Sequence, residues 1–294
     1  MQVFELPEPN FVPLSLAFSP DGRLVAGWAW GRVLVTDAGS GAARAVLGEW
    51  VAPGAVPGVG FTADGRAVVA RGAKAWAQVH PLDPGGSARE CPRDCGFALD
   101  VAHSGDVYLT HDRANRFQIR RWNPLTGKSA HGPHGVGYLR LLAVSADGRW
   151  VAGAGSGNVR VWNWGGGEPP ARAARQFKEV SAPQTRALAL SADGAFLALR
   201  GPAVLVGAVR DGKAWYVAGA DWRDGRDGAF HPARPVLAYT GGGDEVVFYD
   251  AAGRTELKRF AWGIGPLLAV CFSADGLRCA AAGAGKVVVW DVDL

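Results

Sequence analysis

The sequence predicts an all-β protein, a seven-bladed β-propeller with four antiparallel strands per blade, its ring closed by an N-terminal strand that completes the last blade. Three observations point there. One ten-residue stretch recurs along the chain, its spacing divides the whole length evenly, and each unit reads as short apolar strands separated by turn residues.

The stretch is Leu16-Ala-Phe-Ser-Pro-Asp-Gly-Arg-Leu-Val25, and relatives begin at Val59, Leu142, Leu188 and Val270. Their aspartates are Asp21, Asp64, Asp147, Asp193 and Asp275, at gaps of 43, 83, 46 and 82 residues. The long gaps are about twice the short ones, so further copies are expected near positions 104 and 233. Degenerate ones stand there: Val101-Ala-His-Ser-Gly-Asp-Val-Tyr-Leu109 and Phe230-His-Pro-Ala-Arg-Pro-Val-Leu237. Seven units of about 42 residues account for all 294.

The last unit shows the elements in order. An apolar strand at 267–272 precedes the turn Ser273-Ala-Asp-Gly276, and a second strand covers 277–282. A Gly-rich turn at 283–285 leads to a third, β-branched strand at 286–290. Asp-Gly between two short apolar runs marks a hairpin, because Gly accepts the positive φ that the strand twist requires. The third strand ends in Trp290-Asp291, with relatives Trp162-Asn163, Trp122-Asn123, Tyr249-Asp250 and Thr36-Asp37. The Asx residue starts the next turn by bonding its own backbone. A weaker fourth strand follows in most units, as at 173–180 and 254–260, but the last unit lacks one. The alternating segment 1–6 is expected to supply it and to remove an open sheet edge.

These marks resemble the WD-repeat (tryptophan-aspartate repeat) β-propeller family over all 294 residues. The Ser-Pro-Asp-Gly-Arg turn, the Val-x-Val-Trp-Asp strand end and the period carry the likeness. The repeats are degenerate, since the last alone keeps a literal Trp-Asp pair. The Gly-His pair that opens a family repeat is missing from the expected places, so the family's His–Asp–Ser–Trp hydrogen-bond tetrad cannot be assigned. Apolar packing between blades is expected to hold the ring.

Composition suits one domain spanning 1–294, at 48% hydrophobic residues. Glycine, at 42 residues, has about twice its usual share of ~7%, and the excess falls in the turns. The apolar runs are strand-length, short of the ~20 residues a membrane helix needs. The N-terminus has no basic region followed by an apolar core, so a cytoplasmic protein is expected. The Ala/Gly/Arg-rich, Lys-poor composition points to a GC-rich bacterial genome. Net charge is +4. The clusters Arg116, Arg120, Arg121 and Arg172, Arg175, Lys178 read as solvated strand faces, since nucleic-acid binding needs a continuous basic stripe with accessible aromatics. Of the four cysteines, Cys91 and Cys95 lack further metal ligands nearby, and Cys271 and Cys279 read as small buried side chains flanking one hairpin.

No motif carries catalysis: H-E-x-x-H, G-x-S-x-G and the P-loop are missing. Gly153-Ala-Gly-Ser-Gly157 precedes a strand, whereas a phosphate loop precedes a helix. The six histidines lack metal-ligand spacing, and acidic residues fall mainly in turns. The expectation is therefore no catalytic residue, no metal and no cofactor.

The functional lead is the set of loops that leave one face of a propeller. Loops from fourth to first strands carry Trp50, Tyr138, Trp222, Arg223 and Trp262, with Phe11 in a similar place. The turns between second and third strands emerge beside them and contribute Trp28, Trp30, Arg71, His111, Arg113, Arg200 and Asp244. Trp and Arg together on one face are what protein-recognition hot spots use. The leading expectation is a non-enzymatic scaffold, monomeric and away from membranes, binding a protein or peptide through these loops. The alternative is a propeller enzyme or small-ligand binder using the central channel, lactonase-like or metal-dependent. A nucleic-acid-associated module ranks third.

Overall fold

The computed structural model describes the chain except residues 9, 50–57, 72–76, 92–94, 114–115, 135, 156–157, 166–172, 178–184, 202, 219–226, 242 and 294. For residues 95–97, 111–113, 116, 117, 134 and 218 it describes the backbone alone. The described residues form seven sheets of four antiparallel strands arranged in a ring. Blades 1 to 6 cover residues 15–48, 59–90, 95–134, 139–177, 187–218 and 228–261, each laid down in sequence order from the channel outward. In blade 7 the strands Ala269–Phe272, Arg278–Gly283 and Lys286–Asp291 are joined by the N-terminal strand Gln2–Glu5. That strand runs antiparallel to Lys286–Asp291, with Gln2 opposite Val289 and Glu5 opposite Lys286. Leu6 N–H continues the pairing onto the Gly285 carbonyl at 2.8 Å.

The repeated aspartate builds the turn on the lower face with a device absent from the plain Asp-Gly reading. Its Oδ1 accepts the hydroxyl of the Ser or Thr two residues earlier: Ser19 to Asp21 at 2.6 Å and Ser273 to Asp275 at 2.5 Å are two of five such pairs. The hydroxyl oxygen in turn accepts the N–H five residues on, as from Leu24 at 2.9 Å. The glycine then takes a positive φ, 68° at Gly22. In blade 6 His231 replaces the serine, and its Nδ1 accepts N–H groups of Ala233 and Arg234, both at 3.1 Å.

Seven apolar clusters among the described residues each span one seam between neighbouring blades. The cluster between blades 7 and 1 joins Ala269, Cys271 and Ala280 to Leu16, Phe18 and Leu34. Trp290, of the literal Trp-Asp pair, is 4% exposed, and its Nε1 meets no hydrogen-bond partner among the described residues. It packs as an aromatic surface instead, 4.6 Å from Trp262 between ring centroids. Apolar seams thus join the blades among the described residues. Cys271 and Cys279 carry buried, free thiols and pair in register with Ala280 and Phe272 across the hairpin, and burial pushes both thiols up. Cys91 is likewise free and buried, while the Cys95 side chain lies outside the described residues.

Candidate functional site

The turns between second and third strands and the loops entering each inner strand share one face, called upper here. Trp30 and Gly31 form the upper turn of blade 1, between the paired residues Ala29 and Arg32, with φ of 49° and 86°. Two consecutive left-handed residues suit a two-residue hairpin. A tryptophan there is unusual, because its Cβ crowds the following carbonyl. The half-buried Trp30 indole reaches the rim of the central channel. Tyr138, half-buried, lies on the loop entering blade 4. In blade 6, Asp244 accepts the Gly263 N–H, tying its turn to the loop that holds Trp262. Trp262 is half-buried and stacks on Phe260 at an interplanar angle of 4°, so part of its surface serves the seam with blade 7.

Four of the residues expected on the upper face are buried, Phe11 among them at 1% exposed. Trp28 is 0% exposed, because it belongs to strand Leu24–Ala29, whose side-chain alternation points it into the seam with blade 2. Arg71 and Arg200 end the second strands of blades 2 and 5 and are 6% and 3% exposed. Desolvation lowers the pKa of both guanidinium groups. Surface contact through these four is therefore corrected, since the structure buries all of them. Trp50, Trp222 and Arg223 lie outside the described residues, as do the side chains of His111 and Arg113 on strand Val107–Arg113. Of the basic clusters, Arg121 is paired with Asp106 at 2.6 Å and Arg120 donates to Ser129, so neither forms part of an open stripe.

The inner strands enclose a central cavity of about 740 Å³. Counting back two residues from the lower turn of each blade gives one ring of its wall: Ala17, Gly60, Ala143, Ala189, Ala229 and Cys271, with Asp100 from blade 3 as the one charged member. Asp227 enters the wall from blade 6, four residues before its turn. The expectation that acidic residues serve turns therefore missed two carboxyls in the channel. Each accepts two backbone N–H groups, one its own neighbour's and one from the next blade. Asp100 takes Val101 at 2.9 Å and Val144 at 2.7 Å; Asp227 takes Gly228 at 2.9 Å and Val270 at 3.0 Å. Burial pushes the carboxyl of each up to about 7. Among the described residues no group of three or more His, Cys, Asp or Glu is placed to hold a metal ion.

The architecture defines a seven-bladed β-propeller whose variable parts lie on the upper face and in the channel. Residues 126–163 match the family described as WD domain, G-beta repeat. That segment runs from the turn before the outer strand of blade 3 through the first three strands of blade 4, so the sequence unit is staggered by one strand against the blade. The chain is thus a seven-bladed β-propeller, one segment of which matches a WD repeat. No curated protein matches it in sequence. Among solved structures it is similar to Kuenenia stuttgartiensis hydrazine synthase, with a TM-score of 0.71 and 17% identity over 98% of this chain and 97% of that one. At that identity the likeness describes the fold alone, and 1571 matching solved chains make it an architecture shared across many proteins. No helix among the described residues is long and apolar enough to cross a membrane.

Proposed function

We propose that this chain is a non-enzymatic interaction scaffold whose upper face binds a partner protein or peptide. WD-repeat propellers commonly mediate protein interactions. The observation that carries the reading here is Trp30, held at a φ of 49° on the channel rim. A bulky residue kept in a left-handed turn is a departure from local preference, and such departures concentrate at functional positions. Tyr138 and Trp262 on neighbouring upper loops add aromatic surface of the kind that anchors partners. Trp50, Trp222 and Arg223 belong to the same proposal through their places in the sequence.

The test is affinity purification with the wild-type chain, the Trp30→Gly Tyr138→Ala double variant and a lower-face control, Arg66→Ala. A partner captured by the wild type and the control but lost by the double variant supports the reading. Equal capture by all three overturns it.

A second reading, a small-ligand binder or enzyme using the channel, rests on Asp100 and Asp227. Two carboxyls facing one cavity are what a buried polar ligand would meet. Retention of a small molecule by Asp100→Asn Asp227→Asn protein, equal to that of the wild type, would remove it.

A further inference from the structure

The two channel carboxyls sit in the two blades whose repeats lost the Ser-x-Asp-Gly turn. Blade 3 has Ala102 and blade 6 has His231 where the regular blades carry Ser or Thr. Each carboxyl performs the same operation. One oxygen caps the N–H of its own next residue, and the other reaches across a seam to an N–H on the next inner strand. Asp100 thereby joins blade 3 to blade 4, and Asp227 joins blade 6 to blade 7. The geometry is identical apart from register: Asp100 lies two residues before its turn, Asp227 four. Side chains two residues apart share a face of the strand, so the two stand at different depths, about 7 Å apart along the bore.

Neither carboxyl meets a cationic side chain among the described residues; their hydrogen bonds all come from backbone N–H groups. Charged and titratable groups flank them at both mouths of the channel. Arg140 and Arg186 begin the inner strands of blades 4 and 5 at the upper mouth, and Arg140 donates to the Thr185 carbonyl. His103 and His231 line the lower mouth, and the buried Cys271 thiol faces the bore from blade 7. Tyr108 and Tyr239 lie on the second strands behind Asp100 and Asp227, and burial pushes both phenols up to about 12, so they stay neutral. An unpaired carboxylate in such a wall is costly when ionised, because two N–H dipoles replace full hydration.

We propose that Asp100 and Asp227 form a proton-linked pair of latches that stitch two seams of the ring and whose carboxyls switch between neutral and doubly anionic where they face the bore. The raised carboxyl pKa values place that switch near neutrality. Charge on Asp100 also raises Asp227, so loss of the first proton opposes loss of the second. The two carboxyls are then uncharged in mild acid and both anionic above neutral pH, when water or a cation is required beside them.

The test uses the whole chain with ¹³C-labelled aspartate carboxyls, followed by NMR across a pH titration. Two carboxyl signals are expected to titrate around pH 7 in the wild type. One vanishes in Asp100→Asn, and the remaining signal then titrates at lower pH. Titration of every aspartate near the ordinary value of about 4 overturns the proposal, and this arm needs no variant to fold. As a second readout, the melting temperature of Asp100→Asn relative to wild type should climb steadily as pH rises from acid to neutral. A constant difference across that range overturns the link between the proton and the latch.

Discussion

Trp28 of blade 1 donates its indole N–H to the main-chain carbonyl of Arg71 in blade 2 at 2.9 Å. The two residues are one repeat apart in sequence, so the bond is a seam contact made by a side chain. Tyr108 does the same between blades 3 and 4, giving its hydroxyl to the Gly148 carbonyl at 2.6 Å. Trp28→Phe is expected to keep most of the packing and to remove the indole N–H from the Arg71 carbonyl inside a buried seam. The cost is about 1–3 kcal/mol, read as a lowered denaturant midpoint with an unchanged slope. A wild-type midpoint would show that water replaces the indole.

Deleting residues 1–6 removes the outer strand of blade 7 and the side chain of Leu6, which is 6% exposed. Burial of one leucine is worth about 1.5–3 kcal/mol before any hydrogen bonds are counted. The expected result is a lower melting temperature for the whole ring. Cooperative melting at the wild-type temperature would mean that the strand contributes nothing to the closure.

The lower-face turns set the acid limit of stability. The hydroxyls of Ser19, Thr62 and Ser273 hold the carboxyls of Asp21, Asp64 and Asp275 below the usual value, with backbone N–H groups helping. A depressed carboxyl pKa stabilises the fold above the unfolded value of about 3.8 and loses that contribution as pH falls through the folded one. Asp64→Asn Asp275→Asn is therefore expected to melt lower than wild type at neutral pH and to approach it below about pH 4. A difference independent of pH would contradict the assignment.

Between mild acid and neutrality two sets of groups act in opposite directions. Asp100 and Asp227 have raised values, so their contribution is complete below about pH 4 and lost as pH rises through about 7. His80, His103 and His231 are held down by desolvation, which favours the neutral imidazole and costs stability as pH falls below the ordinary value of 6.5. A shallow wild-type profile is expected there, becoming steeper and rising with pH in Asp100→Asn Asp227→Asn. Thermal melts from about pH 4 to about pH 8, a range that brackets the ordinary carboxyl and imidazole values, check it, and parallel profiles would speak against opposing terms.

Trp30→Gly places the residue that best tolerates positive φ in the left-handed position. The relief of about 1–2 kcal/mol offsets part of the lost indole packing against the core of blades 7 and 1. The ring should fold with a melting temperature close to wild type. A large loss of stability would make Trp30 a core residue first, and the upper-face proposal would then lose its main support.

The blades were legible because the Ser-x-Asp-Gly turn is a local device, made from residues within six positions of one another. The degenerate units could be placed by spacing even though Ala102 and His231 had replaced the hydroxyl. The seams were not legible, since they join residues a full repeat apart, and Trp28, expected in the turn, lies inside the strand two residues before Trp30. Asp100 and Asp227 were missed for a related reason. A carboxyl in Ala98-Leu-Asp-Val101 breaks an apolar run without forming any motif, and its partner Val144 N–H is 44 positions away. The sequence signal available was the break itself, an acidic residue inside an inner strand.

The antiparallel pairing of Gln2–Glu5 with Lys286–Asp291 also decides how the ring answers to mechanical load. Gln2 lies opposite Val289, so the chain enters the first strand and leaves the last one at the same end of the pair. Tension applied through those two ends would not slide the strands along each other and break all their hydrogen bonds together. It would peel them, one residue pair at a time, beginning at Gln2. The ring is thus soft against a pull at this one junction.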